Sequence, residues 1–581
     1  MKFLRNLLAT LVGLTIFTFG SILLLIAIIS VLESNQKIEI EEDSILHLKL
    51  NQTISERSVE NPLGGYSFGR GSSLGILNLI DAIDYASSDT KIKGIFLDLS
   101  WFGGGFSQAQ ELRTSIMEFK ESGKFVIAYA DRMSEGSYYI GSVADSVFMN
   151  PIGNFEFNGI SYTTSFFKGT LDKLGIEAQV FKVGDYKSAI EPFIRKNMSP
   201  ENKEQVSSFI NNIYNHILTA ISNSRSIEID ELKSISSGLK IRTMENALEF
   251  GLIDGLKYSD QIENLLLDLS EADDKKPRFV TLRDYQNSYT RKGGYQNRIA
   301  VIVASGEIVN GLGNSSLIGS DKFVAEIRKA RKNSRVKAIV LRINSPGGDL
   351  LASDKLWREV VLAKEAKPVI SSFSTYAASG GYYMAMASDT IVANANTITG
   401  SIGIFSIIFN LSSFMEDKLG ITTDVVNTGD FSDILTASRP MTEYEKSILQ
   451  KSTESGYNTF ITKAASGRGM AIDEIHAIAS GRVWTGSQAK ENGLVDVLGT
   501  FSDAVKIAAE KAGISDEFSI KYYPEQKSFF EQMMEDFGMS AQAKIVKMQT
   551  GNLYPYLDLI KKIKQMNGVQ ARMAWEGEFT F

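Results

Sequence analysis

Cysteine is absent from the 581 residues, and histidine occurs only three times. Without cysteine there is no disulfide, no thiol nucleophile and no thiolate-bound metal, although the compartment stays open. His47 falls in an alternating strand pattern, while His216 and His476 lie in polar helical stretches. None adjoins a glycine turn, so the usual imidazole base for a nucleophilic alcohol is missing. Positive charge is not in excess either. Lys plus Arg number 61 against 68 Asp plus Glu, a net charge of −7, which gives no support for a nucleic-acid partner.

What is present suits a globular protein, with 43% apolar and 22% charged residues. The length exceeds what one core accommodates, so two domains with added segments are expected. Lys2 and Arg5 precede an uncharged run from Leu7 to Leu32, which Glu33 ends. Twenty-six helical residues at about 1.5 Å each reach roughly 39 Å, enough for a ~30 Å hydrocarbon core. A cleaved signal peptide competes with this reading, but its apolar region is usually about 7–15 residues, and Ile29 to Glu33 makes a poor cleavage site. The reading is therefore a retained transmembrane anchor, with Lys2 and Arg5 in the cytoplasm and the chain from about Glu33 outside it.

Two later stretches, 244 residues apart, repeat each other. Leu97-Asp-Leu-Ser-Trp-Phe-Gly-Gly104 matches Leu341-Arg-Ile-Asn-Ser-Pro-Gly-Gly348, and Arg132-Met-Ser-Glu-Gly-Ser-Tyr-Tyr139 matches Tyr376-Ala-Ala-Ser-Gly-Gly-Tyr-Tyr383. Ile92–Leu99 and Val336–Ile343 read as buried strands ending at glycine turns. A helical pattern follows each (Gln108–Glu121, Ser353–Glu365), then another strand (Phe125–Ala130, Pro368–Ser374). This alternation predicts an α/β fold of parallel βαβ units, with ligands at the C-terminal strand ends. Gly251-Leu-Ile-Asp254 and Gly493-Leu-Val-Asp496 extend the duplication.

The expected organisation is a cytoplasmic stub and anchor at 1–32, an acidic spacer at 33–44, and a first repeat at 45–269. A polar linker follows at 270–297, then the second repeat at 298–524 and an extension at 525–581. The extension carries Met533, Met534, Met539, Met548 and Met566 and reads as a helix, either on the surface or packed on its own chain or a neighbour.

The copies differ where chemistry would reside. Ser379, at a glycine-flanked turn, faces Glu135 in the first copy. Conversely, Lys187 in Val183-Gly-Asp-Tyr-Lys187 faces Ser432 in Asn427-Thr-Gly-Asp-Phe-Ser432, with the offset slipped by one. Such complementary loss is expected if two domains complete one Ser–Lys site. A serine alcohol needs a base, and lowering a lysine from about 10.4 to a useful 7–8 takes roughly 3–5 kcal/mol of preference for the neutral amine. Burial away from carboxylates can supply it. Tyr186, Ile190 and Phe193 are compatible neighbours, provided that Asp185 and Glu191 point elsewhere. Gly380, Gly347 and Gly348 offer backbone N–H groups for an oxyanion.

At these residues the chain resembles the signal peptide peptidase A (protease IV) family in its long, tandem-domain bacterial form. The resemblance rests on the anchor, Tyr186-Lys-Ser-Ala-Ile-Glu-Pro-Phe193, Asn344-Ser-Pro-Gly-Gly348, Ala378-Ser-Gly-Gly-Tyr382, Thr399-Gly-Ser-Ile-Gly403 and Gly481-Arg-Val-Trp-Thr-Gly486. It implies two tandem ClpP/crotonase-like domains behind one N-terminal transmembrane helix. It makes Ser379 the nucleophile and Lys187 the general base, and leaves Ser401 as either the lysine-orienting residue or a plain loop serine. It also implies a homotetramer on the outer face of the cytoplasmic membrane that degrades cleaved signal peptides, with no metal or organic cofactor. Glu135 and Phe157 stand where the first copy would need serines, which argues against a second site. Two other classes stay open. An acyl-CoA hydratase of the same fold would be separated by serine-directed phosphonate trapping, and an inactive membrane scaffold by a peptidase assay.

Overall fold

Each repeat turns its apolar strands into a parallel sheet. In the first, Ile92–Asp98 is flanked by Ser44–Lys49 and Phe125–Met133, with Ser146–Phe155 and Gly255–Leu256 beyond. In the second, Val336–Ser345 is flanked by Arg298–Ser305 and Val369–Ala378, then Thr390–Ala393 and Val497–Leu498. These strands are apolar on both faces because helices cover both, as parallel sheets require. The chain is seen here as a computed structural model that describes residues 2–34, 39–58, 73–289, 296–514, 517–526, 568–573 and 577–580 (for 22–34 and 577–580 the backbone alone).

The duplication extends to side-chain detail. Helices Phe106–Lys120 and Leu350–Lys364 begin and end 244 residues apart. Asp254 accepts the Val147 N–H and pairs with Arg225; Asp496 accepts the Ile391 N–H and pairs with Arg468. The Gly-Leu-Ile/Val-Asp motif is thus a strap that ties a strand start to the end of a long helix, Pro200–Arg225 or Glu443–Arg468.

The repeats are joined in two ways. Glu177–Val183 of the first pairs antiparallel with Ile404–Asn410 of the second, in register from Val183 with Ile404 to Glu177 with Asn410. Behind that seam Arg342, with no solvent exposure, is held by Glu56 and Glu111 of the first repeat, both at 2.6 Å. A buried cation of this kind is tolerable only with such complete pairing.

Segment 270–297, expected as a linker, contributes structure to the first repeat. Phe279–Thr281 extends the first sheet beside Ile45–His47, and Leu282–Ser288 follows as a helix. Val280, Leu282 and Tyr285 are buried, and the Tyr285 hydroxyl donates to Asp89 at 2.9 Å. Three apolar residues inside a polar stretch are enough to add an edge strand. In the extension, Met533, Met534, Met539, Met548 and Met566 lie outside the described residues. What is described there is not helix but strand, Gly568–Arg572 and Gly577–Thr580. At the N-terminus Lys2–Ser34 forms one 33-residue helix. Among the residues with described side chains, which end at Ser21 in this helix, no helix is long and apolar enough to cross a membrane.

Candidate active site

Ser379 stands between the strand Val369–Ala378 and the short helix Gly380–Ala385. Its φ of 53° and ψ of −112° are values that a residue with a Cβ rarely adopts, at a cost of about 1–3 kcal/mol. Neighbouring bonds hold it there: Ser379 N–H donates to Gly400 O and Tyr383 N–H to Ser379 O, both at 2.8 Å. The turn packs directly on the Ser345 loop, since a Cβ on Gly381 would lie 2.7 Å from Ser345 O. Strand direction and a tight turn together aim the Ser379 oxygen across the seam.

Lys187 arrives from the other repeat, four residues beyond the end of the seam strand Glu177–Val183. Its Nζ lies 2.9 Å from Ser379 Oγ, 3.1 Å from Ser401 Oγ and 3.2 Å from Ser401 O. The side chain is 1% exposed, and burial alone drives its pKa well below that of an ordinary lysine. Neither carboxylate of the motif opposes this. Asp185 is exposed, and Glu191 turns away to accept Ser199 N–H and Asn202 Nδ2 at 3.1 and 2.9 Å. Ile190 and Phe193 pack with Phe405, Ile407 and Phe409, which excludes water from one flank.

The glycines have separable roles. Gly347, at φ 102°, donates its N–H to Ser345 Oγ at 3.2 Å, so its amide is already engaged. Gly348 and Gly380 remain as the amides beside the serine. Gly380 opens a helix, where an N–H has no intrahelical acceptor. The two loops touch so closely that a Cβ on Gly347 would lie 2.7 Å from Gly380 N.

At the matching place in the first repeat the chemistry is gone. The helix Glu135–Gly141 starts one residue earlier in the repeat frame, and Glu135 is not among the residues with positive φ. Its buried carboxylate accepts Asn158 N–H and Gly159 N–H at 3.1 and 2.7 Å, and Phe157 packs on Tyr138. Ser432, the sequence partner of Lys187, sits in an exposed turn against Gly429. Of the histidines, His47 rests between Phe96 and Phe279 with its pKa pushed down to about 4 by burial. His216 lies on the helix Pro200–Arg225, and His476 packs edge-on against Tyr457.

Sequence reasoning missed the residues that seat the lysine. Gly481, at φ 80°, lies so close that a Cβ there would be 2.7 Å from Lys187 Cα and Cβ. Gly403 similarly leaves room for Lys187 Cδ. Gln205 clamps the loop from behind: its Nε2 donates to Tyr186 O at 3.0 Å, and its Oε1 accepts Val483 N–H at 3.1 Å. The Gly481-Arg482-Val483 motif was the available signal, but its use depends on a contact made only in three dimensions.

Comparison with known proteins agrees with this duplication. The family model "Peptidase family S49" matches residues 118–273 and again 362–515, the second match starting 244 residues after the first. The chain is 32% identical over 576 residues to Protease 4 of Haemophilus influenzae, covering 94% of this chain and 92% of that protein. It is 35% identical to Protease 4 of Salmonella typhi, covering 83% and 79%. With the chloroplastic serine protease SPPA of Arabidopsis thaliana it shares 37% identity, over 76% of this chain and 66% of that protein. Among solved structures, a point mutant of ClpP1 from Listeria monocytogenes aligns with a TM-score of 0.25 and 15% identity, over 36% of this chain and 94% of that one.

Proposed function

The chain belongs to peptidase family S49 and is a serine protease, and from that premise we propose that Ser379 and Lys187 form a Ser–Lys dyad hydrolysing extended peptides. One observation carries this reading: a lysine amine 1% exposed, with no carboxylate partner, 2.9 Å from the hydroxyl of a strained serine. A neutral amine has two N–H groups and one lone pair. Ser401 O and Oγ accept the two N–H groups, which turns the lone pair toward the Ser379 hydroxyl. Lys187 takes the Ser379 proton as the oxygen attacks the scissile carbonyl. Gly348 and Gly380 N–H groups stabilise the oxyanion. The Lys187 ammonium then protonates the leaving amine, and water, activated by the same base, releases the acyl group. The substrate is an extended segment added edge-on to a strand, its alternate side chains entering apolar pockets.

Signal peptides left after preprotein processing fit these demands, being apolar and readily extended. The helix Lys2–Ser34, with its uncharged run from Leu7 to Leu32, supports retention at the cytoplasmic membrane with the repeats on the outer side. A homotetramer is supported by exposed apolar residues on one long loop, Leu419, Ile421, Val425, Phe431 and Leu435, with Val426 98% exposed. The direct test is hydrolysis of an extended fluorogenic peptide. Ser379→Ala and Lys187→Ala should each abolish turnover while the fold and assembly persist. Substantial turnover by either purified variant would reject the dyad.

A further inference from the structure

The groove beside Ser379 is filled by the chain's own C-terminal segment. Gly568–Arg572 lies antiparallel to Gly347–Asp349 on one side, pairing Gly348 with Ala571. On its other side it is antiparallel to Ile404–Asn410, pairing Phe405 with Gln570. It therefore bridges the glycine loop and the seam strand as an added strand, the manner in which a strand edge accepts an extended peptide. Met573 N–H donates to Pro346 O at 2.8 Å. Hydrogen-bonded pairs alternate along an antiparallel ladder, so Ala571, two residues earlier, has its carbonyl turned to Gly348 N–H.

The position of that carbonyl is specific. A Cβ on Gly347 would collide with Ala571 O, and a Cβ on Gly380 would lie 3.0 Å from it. The oxygen thus sits between the two turns that offer oxyanion donors. The side chains follow the same logic. Ala571 is fully buried, Val569 packs with Leu350 and Ile404 over Gly456, and Met573 is buried. Apolar residues alternate inward, with the smallest at the position beside the serine. Beyond this point the chain remains held, because Gly577–Thr580 pairs antiparallel with Ser161–Thr164 of the first repeat. The tail is stretched across the site from one repeat to the other, and its contacts on either side fix the bond presented to Ser379.

We infer that this segment is a substrate of the enzyme's own active site, cut between Ala571 and Arg572. The inference rests on Ser379 acting as the nucleophile. Ser379 Oγ bonds to the Ala571 carbonyl carbon and its proton passes to Lys187. The Ala571–Arg572 C–N bond then breaks, and the Arg572 nitrogen takes that proton and leaves as an amine. Water hydrolyses the Ala571 ester. The products are a chain ending in the Ala571 carboxylate and the peptide Arg572–Phe581.

Intact-mass measurement on purified full-length wild type, Ser379→Ala and Ala571→Trp tests this, with hydrolysis of an extended fluorogenic peptide measured on the same samples. The wild type should end at Ala571 and Ser379→Ala at Phe581. Ala571→Trp, too large for the buried position, should also end at Phe581 while cleaving the added peptide at least as fast as wild type. An active wild type that still ends at Phe581, or trimming that persists in Ser379→Ala, would overturn self-cleavage while leaving the protease reading intact. A wild type neither trimmed nor active on the added peptide would overturn both.

Discussion

Gly481→Ala should disable the enzyme from outside the dyad. Gly481 has φ 80°, and a Cβ there would stand 2.7 Å from Lys187 Cα and Cβ. Carbon atoms pack best at about 3.5–4.0 Å, so the lysine loop must move by about 1 Å. A misplacement of about that size costs about 100-fold in rate. The left-handed backbone adds about 1–2 kcal/mol of strain for any residue with a Cβ. Gly469→Ala separates the two effects: its φ is 65°, and nothing lies within 4 Å of the added methyl. Steady-state hydrolysis of an extended fluorogenic peptide, with urea unfolding, is the assay. Gly481→Ala should lose about 100-fold in kcat with KM little changed. Gly469→Ala should keep wild-type kcat yet lose about 1–2 kcal/mol of stability. Wild-type kcat in Gly481→Ala, or equal loss in Gly469→Ala, would refute the seating role.

The buried lysine also leaves a signature in stability. Its folded-state pKa is depressed by burial, so between that value and 10.5 the unfolded chain holds more protons and stability rises with pH. Lys187→Met should therefore be more stable than wild type, with the gain largest at acid pH and shrinking as pH approaches 10.5; a gain that grows with pH in urea titrations would contradict this. At the repeat interface, Glu111→Ala leaves Arg342 short of a partner at 2.6 Å and should cost about 3–5 kcal/mol in urea unfolding; a loss under about 1 kcal/mol would show the pair is dispensable. Restoring a serine in the first repeat should restore nothing. Ser379→Ala/Glu135→Ser should be as inactive as Ser379→Ala in the peptide assay, because Phe157 stands where Ser401 would and no lysine reaches that turn.

Much of this site was legible in the sequence because duplication acts as an internal control. The offset of 244 residues aligned Tyr138 with Tyr382, and both hydroxyls donate to the carbonyl of the same repeat position, Leu252 or Leu494. Against that background Glu135 opposite Ser379, and Lys187 without a lysine counterpart, stood out as exchanges of chemistry. The strand–helix–strand runs were equally readable, since buried parallel strands are apolar on both faces.

What stayed hidden was long-range or short. Pairing of Val183 with Ile404 closes the seam, yet neither strand carries a mark naming its partner. Arg342, Glu56 and Glu111 are three ordinary charges until the fold brings them together without water. Phe279–Thr281 and Gly568–Arg572 are short strands in polar surroundings, too brief for a period of two to emerge. The engaged amide of Gly347 depends on where the Ser345 hydroxyl turns, and sequence spacing does not encode that.

The central claim is one Ser–Lys site assembled from two repeats. Its most direct test is the rate at which a peptidyl phosphonate labels the protein as a function of pH, with the adduct located by mass spectrometry in wild type and Lys187→Met. The expected result is a single adduct on Ser379, formed more slowly on the acid side of the wild-type profile, and labelled far more slowly with no acid limb in Lys187→Met. An adduct on another residue, or wild-type labelling of Ser379 in Lys187→Met, would contradict it.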